Sequence, residues 1–189
     1  MMSTMKRNMF VLSFISAVFS ILFYTANTVL GIDFCYTLFI TSVTVFYHFG
    51  IRLIAGYTLN ILKHHSFAYN NGIFKEYSFE KGMYNTIKVN RWKDKMPTFN
   101  PSAFDIETNS IKDIIHTMCL SELVHLVNIP LSFVPIMACF LVQRLKDDIL
   151  IFIITGTLAA VFDMMFVIIQ RYNRPRIVRL LSRKTNNKI

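Results

Sequence analysis

Charge is scarce in this chain. Of its 189 residues only 16% are Asp, Glu, Lys or Arg, against roughly 25% in an ordinary soluble domain. Hydrophobic residues make up 53%, including 18 Phe and 10 Met, and mean hydropathy is +0.44. A soluble globule of this size leaves about 30% of its unfolded surface in water, more than so few polar side chains can cover. A soluble enzyme and a disordered chain are both disfavoured. Acidic residues are the scarcer sign, 11 against 20 Lys and Arg, giving a formal net charge of +9. In a membrane protein such an excess is first a topology signal, and no nucleic-acid partner is implied. Cysteine is sparse as well. Cys35, Cys119 and Cys139 lie in apolar stretches without metal-site spacing, so they read as packing residues, with no disulfide framework.

Several enzyme signatures are missing. There is no Gly-x-Ser-x-Gly elbow, no phosphate-binding or dinucleotide glycine pattern, and no His followed by Asp five positions on. Hydrolase-type nucleophiles, nucleotide cradles and the soluble glycerolipid acyltransferase motif are therefore absent. Neither a metal nor a cofactor is implied.

Long uncharged runs dominate what is present. Asn8 to Ile32 carries no charge, and about 20 apolar residues cross the hydrocarbon. The run is too long for a signal peptide and lacks a small-x-small cleavage site. A retained first span is expected at about 9–30. After the Gly31-Ile32-Asp33 turn a second span follows at about 34–54, continuing as an interfacial helix to Leu62 with Arg52 and Lys63 reaching the headgroups. Residues 63–109 are polar with interleaved aromatics, a composition that suits the membrane interface. Ser110-Ile111-Lys112-Asp113 fits a capping box and starts the next helix. An entry helix at 110–128 is expected to run, through a kink at Pro130 and Pro135, into a third span at 129–142. The fourth span is 149–169, and a basic tail covers 171–189.

The expected fold is all-α: a polytopic membrane helical bundle of four transmembrane helices, in one integral-membrane domain with a cytoplasmic interfacial loop. Basic residues flank the N-terminus and crowd the tail, whereas the short turns carry no net positive charge. Four spans then place both termini and the loop in the cytoplasm.

Within the apolar stretches the chemistry concentrates at Glu122 and His125. On a helix, Ile111, Ile115, Met118, Glu122, His125 and Ile129 fall within about 80° of one another. A carboxylate facing lipid costs several kcal/mol, so this stripe should face the bundle interior or a wet cavity. Glu122 would fix the His125 tautomer, leaving the other ring nitrogen to take a proton from a hydroxyl. The same residues also read as a buried polar pair holding two helices together. Three readings stay open for Asp163: a partner for His125, a partner for His48, or a neutral structural acid. His48 and Arg52 read as a structural pair on the second span ahead of a substrate role, and His64 and His65 as surface residues. The segment Gln170-Arg171-Tyr172-Asn173-Arg174-Pro175-Arg176 should break or bend the last helix at Pro175. Its guanidinium groups suit forked binding of phosphate or carboxylate, or a grip on anionic lipid. Arg91, Trp92 and Lys93 in the loop have the same two readings.

Three of these segments together are similar to one family. The heptapeptide at 170–176, Glu-Leu-Val-His at 122–125 and Arg-Trp-Lys-Asp-Lys at 91–95 resemble, in order and approximate spacing, the glycosyl-4,4'-diaponeurosporenoate acyltransferases. That family includes the membrane enzyme of staphyloxanthin biosynthesis. The resemblance covers about residues 72–182. It implies transfer of a fatty acyl chain to a sugar hydroxyl of a glycosylated carotenoid acid at the bacterial cell membrane. The expected partners are membrane lipid, an acyl-CoA-like donor and a glycosylated lipid acceptor. The residue chemistry then makes His125 the general base and Glu122 its orienting partner. Arg171, Arg174 and Arg176 would bind an anionic donor or an acidic group of the acceptor, with Tyr172, Asn173, Arg91, Trp92, Lys93 and Asp163 completing the substrate site. A non-catalytic membrane scaffold or assembly subunit is the alternative. A membrane methyltransferase is a third reading, and it would need a pocket for its own cofactor.

Overall fold

The computed structural model describes residues 3–61 and 72–186. The first uncharged run forms α1 (Thr4–Leu30), capped by the Ser3 side chain, which accepts from the Lys6 amide. Gly31 ends it with φ at +64°, a left-handed conformation that glycine adopts without a Cβ penalty. The chain reverses there into α2 (Asp33–Ile61), so α1 and α2 form a packed helical hairpin. Met9, Ser13 and Ser16 are the buried residues of α1. Spaced four and three apart, they form one narrow stripe, in which the two serines are small enough to let a neighbouring backbone approach. Most of the remaining surface of α1 is exposed Phe, Leu, Ile and Val, as a lipid-facing helix requires. On α2 the inward stripe repeats every four residues through Ile40, Thr44 and His48.

The second hairpin is built from α5 (Ile111–Leu131) and α7 (Ile149–Asn186), which pack along each other. Between α2 and α5 the described loop contains α3 (Glu80–Thr86) and α4 (Val89–Trp92) with short 3-10 turns around them. Phe74, Glu80, Tyr84 and Val89 are its buried residues. Ser110 caps α5 (Ile111–Leu131) by accepting from the Asp113 amide, 3.2 Å away. After α6 (Val134–Leu141), a 3-10 turn over Gln143–Asp148 leads into α7 (Ile149–Asn186). The helices α1, α2, α5 with α6, and α7 supply four segments long and apolar enough to cross a membrane. Among the described residues there is no β-strand.

Two expectations concern prolines in the helices. The kink expected at Pro130 and Pro135 falls between the two prolines. The α5 helix continues through Pro130 to Leu131 and breaks at Ser132–Phe133. Pro135 cannot donate to the Leu131 carbonyl four residues earlier, so helical bonding fails there. Tyr47 on α2 fills the gap, its hydroxyl donating to that carbonyl at 2.8 Å. Gly156 of α7 sits at the same level. A Cβ on it would lie 2.8 Å from the Ser132 carbonyl oxygen, so only glycine admits this approach. By contrast, α7 does not break at Pro175, which lies inside the helix. Local proline strain of about 3 kcal/mol is offset by side chains on both sides of it that tie the helix to α5 and the loop. The expected interfacial continuation at Leu62 and Lys63, together with His64 and His65, lies outside the described residues.

Candidate functional site

The stripe expected on α5 faces inward: Ile115, Met118 and Glu122 are buried. Its two ionisable members have different partners, however. Glu122 is wholly buried and is held by two guanidinium groups of α7. Arg171 donates to Oε1 at 2.7 Å and Arg174 to Oε2. Arg171 also donates through Nε to Glu80, 2.7 Å away. The remaining donors of the two arginines grip the loop backbone. Arg171 reaches the carbonyls of Ile73 at 2.9 Å and Lys75 at 2.8 Å, and Arg174 that of Phe74 at 2.6 Å. Two carboxylates and two guanidiniums sum to no net charge, and nearly every polar atom finds a partner. That is the condition under which a buried ion cluster is tolerated. Beside it the Tyr84 hydroxyl donates to Glu80 at 2.7 Å. Burial, then this hydrogen bond and the Glu80 charge, push the phenol well above its ordinary value, so it remains a donor.

His125 turns instead to α7. Its Nδ1 lies 2.8 Å from Asp163 Oδ1, and its ring stacks on Phe166 with centroids 4.6 Å apart. The other oxygen of Asp163 accepts from Arg52 of α2. Arg52 also donates to the Ser132 hydroxyl and the Ala159 carbonyl, each at 3.0 Å, and to the His48 carbonyl at 2.7 Å. One guanidinium thus joins α2, the α5 break and α7, and it neutralises the buried Asp163. The acid paired with His125 is therefore Asp163, and the expected Glu122–His125 couple is replaced. A buried carboxylate such as Glu122 needs full positive charge, which arginine always carries and a neutral imidazole does not.

His125 and Asp163 line a cavity of about 830 Å³. Its walls come from the start of α1, from α2, from loop residues 97–104, and from α5 and α7. Polar groups gather at His48, Arg52, His125 and Asp163; Leu12, Phe49, Leu120 and Phe162 supply apolar wall. Among the described residues no hydrogen bond reaches His125 Nε2.

The basic heptapeptide lies away from this space. None of Arg171, Tyr172, Asn173, Arg174 and Arg176 lines the cavity. The Tyr172 hydroxyl donates to Asn90 Oδ1 at 2.6 Å and accepts from Arg176, also at 2.6 Å. Arg174 instead borders a smaller hollow with Phe74, Glu76 and Arg179. In the loop, Trp92 donates to the Ile87 carbonyl at 3.0 Å, Lys93 pairs with Asp94, and Arg91 is exposed. The arginines expected to hold the donor therefore do not open on the imidazole.

Residues 70–183, more than half of the chain, match the family described as glycosyl-4,4'-diaponeurosporenoate acyltransferase. The chain belongs to this family. No curated protein and no solved structure matches it. The family region contains His125, Asp163 and the whole Glu80–Arg171–Glu122–Arg174 cluster. Two further cavity residues, His48 and Arg52, lie outside it on α2. Sequence reasoning favoured an interface role for both over a substrate role and left His48 as one possible partner of Asp163, because nothing in the spacing along α2 reveals which of its residues meets that acid on another helix.

Proposed function

We propose that the chain is an integral-membrane acyltransferase that esterifies a hydroxyl of a glycosylated, carotenoid-like acceptor. Family membership supports the reaction class. The hydrogen bond between His125 Nδ1 and Asp163, at the wall of a cavity large enough for lipidic substrates, is the observation that carries the reading.

In this reading Nδ1–H donates to Asp163, which fixes the tautomer and leaves Nε2 basic toward the cavity. The acceptor hydroxyl gives its proton to Nε2 as its oxygen attacks the carbonyl carbon of an acyl thioester. The C–S bond then breaks, and the thiolate recovers the proton from the imidazolium. Asp163 stabilises that imidazolium, and Arg52 keeps Asp163 ionised and in place. Arg171 and Arg174 fasten the loop to the bundle. The exposed Arg176 is the member of the heptapeptide left to meet a donor phosphate. Both termini and the loop face the cytoplasm of a bacterial cell, a reading supported by the basic tail and the even number of spans.

The test is acyl transfer by the purified chain in lipid nanodiscs, with palmitoyl-CoA and an alkyl glucoside as probes. His125→Ala should lower the rate roughly 10²–10⁴-fold, the usual contribution of a positioned base, without loss of folded protein. A rate equal to that of the unsubstituted chain would remove His125 from the reaction.

A further inference from the structure

Two cavity residues hold polar atoms that nothing among the described residues satisfies. His48 is 8% exposed and Asn128 1%, and both line the cavity. Among the described residues neither ring nitrogen of His48 has a hydrogen-bond partner, nor has Oδ1 of Asn128. Leaving such groups buried and unpaired is costly, and each occurrence in a folded protein calls for an explanation. Asn128 follows His125 by three residues on α5, so the two share a face. His48 contributes from the facing helix α2, and its backbone carbonyl is already held by Arg52.

We infer that His48 and Asn128 form a hydroxyl-recognition subsite that receives the sugar ring of the acceptor. The inference rests on the cavity being the site of transfer and names what orients the acceptor there. The orphaned atoms select the ligand class. Asn128 Oδ1 is an acceptor, and a neutral imidazole offers one donor and one acceptor. A phosphate or carboxylate supplies acceptors only and would leave Asn128 Oδ1 and one His48 nitrogen unmatched. A sugar hydroxyl donates and accepts, so adjacent hydroxyls satisfy all three atoms. Of the cavity's cations, Arg52 is bound to Asp163, and the Lys6 ammonium lies over the Tyr57 and Phe99 rings. The apolar wall at Phe49, Leu120 and Phe162 is suited to the attached hydrocarbon.

The test separates sugar recognition from catalysis. Binding of tritiated dodecyl β-glucoside to the full chain in nanodiscs is measured without acyl donor, with competition by unlabelled glucoside, dodecanol and dodecyl phosphate. Only the glucoside should compete. His48→Phe and Asn128→Leu, both close in shape, should each weaken glucoside binding about 3–10-fold, the worth of a neutral hydrogen bond. Their Tm should stay level or rise, because an unpaired buried polar group is removed. Glucoside affinity within twofold of the unsubstituted chain in both variants would overturn the inference, leaving solvent as the partner of these atoms. So would a fall in Tm in both variants, or equal competition by dodecyl phosphate. Failure of transfer with intact glucoside binding would defeat the catalytic reading alone, whereas transfer by a chain that shows no glucoside preference would defeat only this subsite.

Discussion

Glu122 shows how a buried charge chooses its partners. It lies one turn from His125 on the same helix face, yet it bonds to Arg171 and Arg174. Side chains on a helix lean toward its N-terminus. Along the α5–α7 hairpin, Glu122 therefore leans toward the C-terminal part of α7, and the two arginines lean back to meet it. Substituting Glu122→Gln leaves two guanidiniums facing one remaining carboxylate. The expected loss is about 3–5 kcal/mol, read as a lowered Tm in nanodiscs, and the double variant with Arg174→Leu should recover part of it. An unchanged Tm in the single variant would show that the cluster does not hold the loop in place. The inward orientation of Glu122 and His125 was legible from the wheel, since both interrupt an apolar stripe. Which acid meets the imidazole was not, because a wheel describes one helix and these bonds cross between two. A usable signal was present on α7. Asp163 and Arg174 are eleven residues apart, about 20° on a helix, so one face of α7 carries both charges toward α5.

At the scale of elements, the break after Leu131 fixes the polar end of the cavity. Pro135 removes one donor, Tyr47 replaces it, and the Ser132 hydroxyl, which donates to the Asn128 carbonyl, accepts from Arg52. The break depends on close contact with Gly156. Gly156→Ala brings a methyl group 2.8 Å from the Ser132 carbonyl oxygen, and the overpacking should cost about 1–3 kcal/mol. Thermal unfolding that matches the unsubstituted chain would disprove the tight approach. The start of α5 was readable from Ser110 and Asp113 because a cap is a local arrangement. The behaviour at Pro175 was not. Proline opposes helix locally, but Arg171 and Arg174 on the preceding turn anchor α7 to α5 and the loop, and tertiary bonds outweigh the local preference.

At the scale of the molecule, the helical class and the count of four candidate spans followed from hydrophobic length alone, which is why they were legible without any knowledge of contacts. The cavity was not, since its wall draws on α1, α2, α5, α7 and the loop together. The arrangement predicts that Arg7 and Arg183 lie on the same side of the membrane and that Lys146 lies on the other. Single cysteines at these positions, in a background with Cys35, Cys119 and Cys139 replaced by Ser, test this with a membrane-impermeant maleimide on intact cells. Lys146→Cys should react, and Arg7→Cys and Arg183→Cys should react only after lysis. Labelling of Arg183→Cys without lysis would reverse or break the proposed topology.

The most direct measurement is chemical rescue of His125→Ala by added imidazole in the nanodisc transfer assay. An imidazole that occupies the vacated space against Asp163 should restore transfer in proportion to its concentration. The same addition should do nothing for a His125→Ala/Asp163→Asn chain, which cannot orient it. A folded His125→Ala chain that turns over at the original rate without imidazole would contradict the account at its centre.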